Sequence, residues 1–123
     1  MSKEPLEIRK STEIGKVGED LAANYLICLG HQIVCRNYRY KRSEIDLISE
    51  CDNLLIFTEV KYRSNINFGQ PESFVSNLKM KRIKEAAGYY LYEKNWSFDI
   101  RFDIISIVSN KNTDLIEHFT DCF

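Results

Sequence analysis

Proline is nearly absent from this chain: Pro5 and Pro71 are its only two among 123 residues. The long stretch between them is free of the residue that most readily breaks helices and sheet interiors. Cysteine and histidine are scarce too. Cys28, Cys35, Cys51 and Cys122 form no C-x-x-C pair and stand beside no histidine pair, and His31 and His118 lie 87 positions apart. The usual structural zinc spacings are therefore excluded. Without a secretory signal the thiols read as reduced, with Cys28 and Cys35 expected in core elements as small hydrophobes. The two histidines read as plain polar or capping residues.

Long hydrophobic runs are lacking as well. No apolar stretch approaches the roughly 20 residues needed to cross a bilayer. The opening MSKEPLEIRK mixes charges and has no apolar core of a signal peptide. The expectation is a cytoplasmic protein with no membrane partner, folded as one domain over 1–123, with 1–11 a flexible tail. There is no G-x-S-x-G elbow and no glycine-rich phosphate loop. What is present suits a globular chain: 44% hydrophobic, 12% aromatic and 28% charged residues.

The net charge of −1 conceals a segregation. Residues 36–84 carry ten of the 17 Lys and Arg against six acids, a local excess of +4, which leaves −5 elsewhere. Arg36, Arg39, Lys41 and Arg42 form one basic burst; Lys79, Lys81, Arg82 and Lys84 form another. Either alone reads as a solvated face. Two bursts flanking the same acids suggest a surface that meets phosphates, with Arg63 at the end of a strand as a further contact. Tyr38, Tyr40 and Tyr62 lie among these cations and could stack bases, but strand tyrosines more often pack half-buried.

Periodicity organises the rest. Leu21, Tyr25 and Leu29, widened by Val17, Ala22 and Leu26, predict a helix over 12–29. Ser11 or Thr12 can cap it, and Gly30 stands where a left-handed C′ residue belongs. Gly15 and Gly18 cost helix propensity, so they point to close packing or an irregular first turn. Strands are predicted over 31–40, 44–50 and 54–63, with Asp52 and Asn53 turning the chain before the third. A second helix falls within 72–94, with Pro71 at its start and Leu78, Ile83, Ala86, Ala87, Tyr90 and Leu91 on its apolar face. A fourth strand, 98–108, should lie parallel to the third after a right-handed crossover. Residues 115–123 suggest an edge strand.

The third strand carries the chemistry. Leu55, Phe57, Glu59 and Lys61 share one face, so two apolar residues give way to two charges. Asp46 sits between Ile45 and Leu47 in the second strand, and a hairpin can set it beside Glu59. Two carboxylates brought together need a positive charge between them. Lys61 could supply it as an ordinary ion pair, and Mg²⁺ could supply it as a bound metal. Spacing alone leaves both open and makes the ion pair the commoner arrangement. Arg101 and Asp103, on one face of the fourth strand, read as a structural pair.

Larger motifs add to this. Asp46, twelve residues, then Glu59-Val60-Lys61 resembles the PD-(D/E)xK nucleases. G-K-V-G-E-D-L-A at 15–22, R-N-Y at 36–38, E-I-D-L-I at 44–48, F-T-E-V-K-Y-R at 57–63, F-G at 68–69, Lys79 and R-F-D at 101–103 extend the likeness. Over 15–123 the chain resembles the bacterial YraN-like family, itself similar to archaeal Holliday junction resolvases. The resemblance implies a restriction-endonuclease-like α/β fold, an αβββαβ core with a mixed sheet flanked by helices. It implies Mg²⁺ or Mn²⁺ at Asp46, Glu59 and the Val60 carbonyl, Lys61 as the catalytic lysine and Glu19 as a helix acid near the metal. The implied function is metal-dependent hydrolysis of DNA phosphodiesters, on branched or recombining DNA; the alternative is a non-catalytic nucleic-acid-binding or scaffold domain. Resolvase-like proteins make two cuts with two sites, so a homodimer is compatible. Two departures stand out: Ser43 replaces the family's usual glycine and Thr58 its usual valine. Thr58 should face away from the acids.

Overall fold

Gly30 closes the first helix as its position predicts, with φ +93°. Its N–H donates to the Ile27 carbonyl at 2.9 Å and that of His31 to Leu26 at 3.0 Å, so two terminal carbonyls are satisfied. The computed structural model describes residues 6–63 and 75–123. In order these form α1 (Leu6–Cys28), β1 (Gln32–Tyr40), β2 (Ser43–Cys51), β3 (Leu54–Arg63), α2 (Asn77–Lys94), β4 (Asp99–Ser109) and β5 (Asp114–Phe119).

The strands make one sheet in sequence order. Asp52 and Asn53 both adopt positive φ, 49° and 64°, as the tight β2–β3 turn requires. β1, β2 and β3 pair antiparallel. The α2 crossover then sets β4 parallel to β3, and β5 returns antiparallel on the edge. This mixed α/β order is compatible with the restriction-endonuclease-like core.

Each helix covers one face. From α1, Ala22, Ala23 and Leu26 pack on Leu47, Ile105 and Ile107. From α2, Ile83, Ala86, Ala87 and Tyr90 join Ile45, Leu55, Phe57 and Phe102. Removing each large aliphatic side chain from water stabilises the fold by about 1.5–3 kcal/mol. At Gly18 an added Cβ would lie 2.6 Å from Tyr62 Cβ, so α1 approaches β3 too closely for any side chain there. Among the described residues Gly15 has no such neighbour within 4 Å.

Several sequence expectations change. α1 starts at Leu6 rather than Thr12, which puts Ser11 and Thr12 inside the helix instead of at its cap. Val17, Leu29 and Leu78 are exposed, because the buried stripes centre on Ala22–Leu26 and Ile83–Tyr90. Cys28 is exposed too, not in the core. Ser76 caps α2 through its side chain; Pro71, expected at that helix start, lies outside the described residues. Asn95, in the left-handed conformation, ends α2.

Candidate active site

The β2–β3 ladder ends at the Leu47–Thr58 pair, while β3 stays paired with β4 as far as Arg63. Beyond Leu47 the two strands part and a cleft opens. Val60 N–H donates there to Asp46 Oδ2 at 2.8 Å. A strand residue points its N–H and C=O to the same side, so the Val60 carbonyl faces the same way. Glu19, Asp46, Glu59, Lys61 and Lys79 all line this cleft, which encloses about 400 Å³.

Burial raises the Asp46 carboxyl to about 8, and the charges of Glu59 and Glu19 push the same way against the Val60 hydrogen bond. The expected meeting of Asp46 and Glu59 across the hairpin is therefore present. The cation beside Glu59 is Lys79, which reaches it from the first turn of α2. Ser76 fixes that turn by accepting from the Lys79 N–H at 3.2 Å. Partial burial alone would lower the Lys79 ammonium, but its contact with Glu59 outweighs this and holds it above the ordinary lysine value. Among the described residues Lys61 makes no ion pair with either acid, which sets aside the simple Asp46–Lys61 pairing.

Glu19, Glu44 and Asp46 each bring a carboxylate oxygen within 4.8 Å of the others. Such a set of hard oxygen donors fits a divalent cation. Glu44 is the member that sequence reasoning left out of the site; its i, i+2 spacing from Asp46 on a strand was the available signal. Asn37 was missed as well. It adopts φ 53° within β1, a conformation asparagine tolerates better than most residues, and donates Nδ2 to Glu19 Oε2 at 2.9 Å.

The basic residues divide into two groups. Arg36 contacts Asp20 at 2.7 Å and Glu19 at 3.7 Å, and Arg39 contacts Glu44 at 3.1 Å. With Lys79 they are tied to acids around the cleft. Lys41, Arg42, Lys81 and Arg82 are exposed, and Arg63 is half-buried at the end of β3. Tyr38 and Tyr40 are half-buried as expected; Tyr38 donates to Glu93 at 2.8 Å, and Tyr40 stacks on Tyr89.

Away from the cleft, Arg101 makes two 2.8 Å bonds to the fully buried Asp103, confirming the structural pair. His118 Nε2 lies 2.7 Å from Asp103 and its Nδ1 3.3 Å from the Tyr25 hydroxyl. His31 contacts Ser49. Burial lowers its imidazole, as do the nearby Arg101 and His118, while Asp103 opposes them. His118 thus joins the Asp103 network, while His31 is bonded to Ser49. As for membranes, no helix among the described residues is long and apolar enough to cross one.

Residues 18–107 match the model of Uncharacterised protein family UPF0102. A UPF0102 protein of Christiangramia forsetii is 41% identical over 111 residues, covering 90% of this chain and 93% of that protein. One from Natranaerobius thermophilus is 43% identical over 113 residues, covering 89% and 95%. Another, from Dictyoglomus thermophilum, is 42% identical over 106 residues, covering 85% and 90%. With the family model matching residues 18–107 and such relatives aligned along nearly their whole length, the chain belongs to the UPF0102, or YraN-like, family.

Proposed function

We propose that the cleft hydrolyses DNA phosphodiester bonds with Mg²⁺ or Mn²⁺ bound at Asp46. The observation that carries this reading is the crowding of Glu19, Glu44 and Asp46 within 4.8 Å, beside a buried Glu59. Carboxylates held this close repel unless a cation or a proton joins them. Asp46 is the ligand common to this group and to the set of Asp46, Glu59 and the Val60 carbonyl that the PD-(D/E)xK resemblance implies. A bound divalent cation supplies Lewis-acid polarisation of a phosphoryl oxygen.

The chain's own groups do the rest. The Val60 N–H fixes the Asp46 carboxylate through Oδ2. Lys61, in the same cleft, orients the attacking water and offsets charge on the phosphoryl group. Lys79, Arg36 and Arg39 hold the acids in place, while Lys41, Arg42, Arg63, Lys81 and Arg82 meet backbone phosphates. A homodimer would provide the second site for paired cuts in branched DNA.

The Lys79–Glu59 ion pair favours one rival, a DNA-binding domain without cleavage, because it gives Glu59 a cation of its own. A cleavage assay over blunt, gapped, flapped and four-way DNA, with Mg²⁺ and with Mn²⁺, separates the two. Wild type should cut at least one substrate and Asp46→Asn none. DNA binding without cutting of any substrate would establish the rival.

A further inference from the structure

Tyr92 is 82% exposed. One exposed tyrosine needs no explanation, but Tyr92 ends a row. Tyr40 stacks on Tyr89 with ring centres 4.7 Å apart and planes 27° apart, and Tyr89 lies 6.5 Å from Tyr92 at 37°. The row starts among cations: Lys41 Nζ sits 5.3 Å from the centre of the Tyr40 ring. Arg42, next in sequence, and Arg82 of α2 line a groove of about 310 Å³ whose walls also include Glu44 and Lys79. Glu44 belongs to the acid cluster and Lys79 to the Glu59 pair. The groove therefore borders the candidate active site, and the row begins beside it, where Tyr40 pairs with the groove residue Ser43.

Helix geometry keeps these groups in line. Arg82 and Tyr89 are seven residues apart, two turns along one flank of α2, and Tyr92 follows one turn later. From Arg82 to Tyr92 the helix rises about 15 Å, long enough to follow a short run of nucleotides. Cations at one end and open ring faces at the other suit phosphates joined to unstacked bases. A duplex keeps its bases stacked inside and offers Tyr92 nothing.

We infer that Lys41, Arg42, Arg82, Tyr89 and Tyr92 form a track for a single-stranded segment of DNA that leads into the cleft. This deepens the DNA-cleaving reading and rests on it for the direction of the strand. Glu85, on the same flank between Arg82 and Tyr89, opposes a phosphate there.

The test is fluorescence anisotropy in EDTA, where nothing is cut. The probes are a labelled twelve-nucleotide oligo-dT, an abasic strand of equal length and a blunt duplex. Tyr92→Ala should weaken oligo-dT binding by about 5- to 150-fold, the range expected for loss of one stacked base. It should leave the abasic strand and the duplex unchanged. Tyr92→Phe should restore oligo-dT binding, and Glu85→Gln should tighten binding of oligo-dT and the abasic strand. Equal oligo-dT affinity for wild type and Tyr92→Ala, or an equal loss on the abasic strand, would overturn the track. If this base-dependent loss is seen but no DNA is ever cut, the track stands and the hydrolytic reading falls. If DNA is cut and Tyr92→Ala binds oligo-dT normally, the reverse holds.

Discussion

The Val60 backbone N–H donates to the Asp46 carboxylate at the point where β2 and β3 separate, so the end of a sheet ladder holds the central acid of the cleft. That bond alone would favour the ionised form. Burial and the neighbouring Glu59 outweigh it and raise the carboxyl to about 8. The folded protein therefore keeps a proton that an unfolded aspartate, titrating near 4, gives up. Between these values the native state binds more protons, so metal-free stability should fall as pH rises from about 4 to about 8 and level off above. Asp46→Asn should remove this slope. Urea unfolding in EDTA at several pH values measures it; a wild-type contribution that grows with pH over that window would contradict the assignment.

Lys61 shares the cleft with both acids. If it serves the reacting phosphate, Lys61→Ala should reduce kcat by about 10²- to 10³-fold, the usual cost of losing one positioned donor. DNA affinity should change little, since the contact matters most in the transition state. A rise in Kd that accounts for the whole loss would make Lys61 a simple phosphate contact.

Thr58 faces away from the acids, as its place in β3 predicts, but it is not neutral for the fold. It is fully buried, and its hydroxyl finds no hydrogen-bond partner among the described residues. An unsatisfied buried hydroxyl costs about 1–3 kcal/mol. Thr58→Val keeps the shape and removes that cost, so it should stabilise the protein by about 1 kcal/mol. A destabilised variant in urea would show that the hydroxyl has a partner.

How much of this was legible in the sequence depended on the range of the interactions. Gly30 and Asp52-Asn53 announced their turns because local backbone conformation decides them. Alternation put Glu59 and Lys61 on one face, and the hairpin set Asp46 beside Glu59. The partner of Glu59 was not legible, because Lys79 arrives from another element through a long-range crossover. Val17, Leu29 and Leu78 look as apolar as their buried neighbours; only the angle at which each helix meets the sheet leaves them outside. Glu44 stood two residues from Asp46 on the same strand, but only the approach of α1 brings Glu19 to the pair.

Asp103 is the opposite kind of acid. Burial works to raise its carboxyl, but the two Arg101 bonds, the Asp121 N–H and His118 outweigh it and hold it below the ordinary value. Its stabilisation is fully present above about pH 4 and is lost as pH falls through the lower folded value. Asp103→Asn leaves Arg101 and His118 without their charged partner and should cost about 3 kcal/mol at pH 7. Urea unfolding would show this, and a loss below about 0.5 kcal/mol would mean the network contributes little.

The central claim is that Asp46 stands among acids in order to hold a cation, and unfolding of wild type and Asp46→Asn in EDTA and in Mg²⁺ tests it most directly. The account predicts that the variant is at least as stable as wild type in EDTA, because a neutral amide beside Glu59 and Glu19 needs neither the repulsion of a carboxylate nor the proton that relieves it. Mg²⁺ at about ten times Kd should then stabilise wild type by about 1.4 kcal/mol and the variant far less. A variant that loses about 3 kcal/mol in EDTA, with a wild type indifferent to Mg²⁺, would instead make Asp46 a structural ion-pair partner and contradict the metal site.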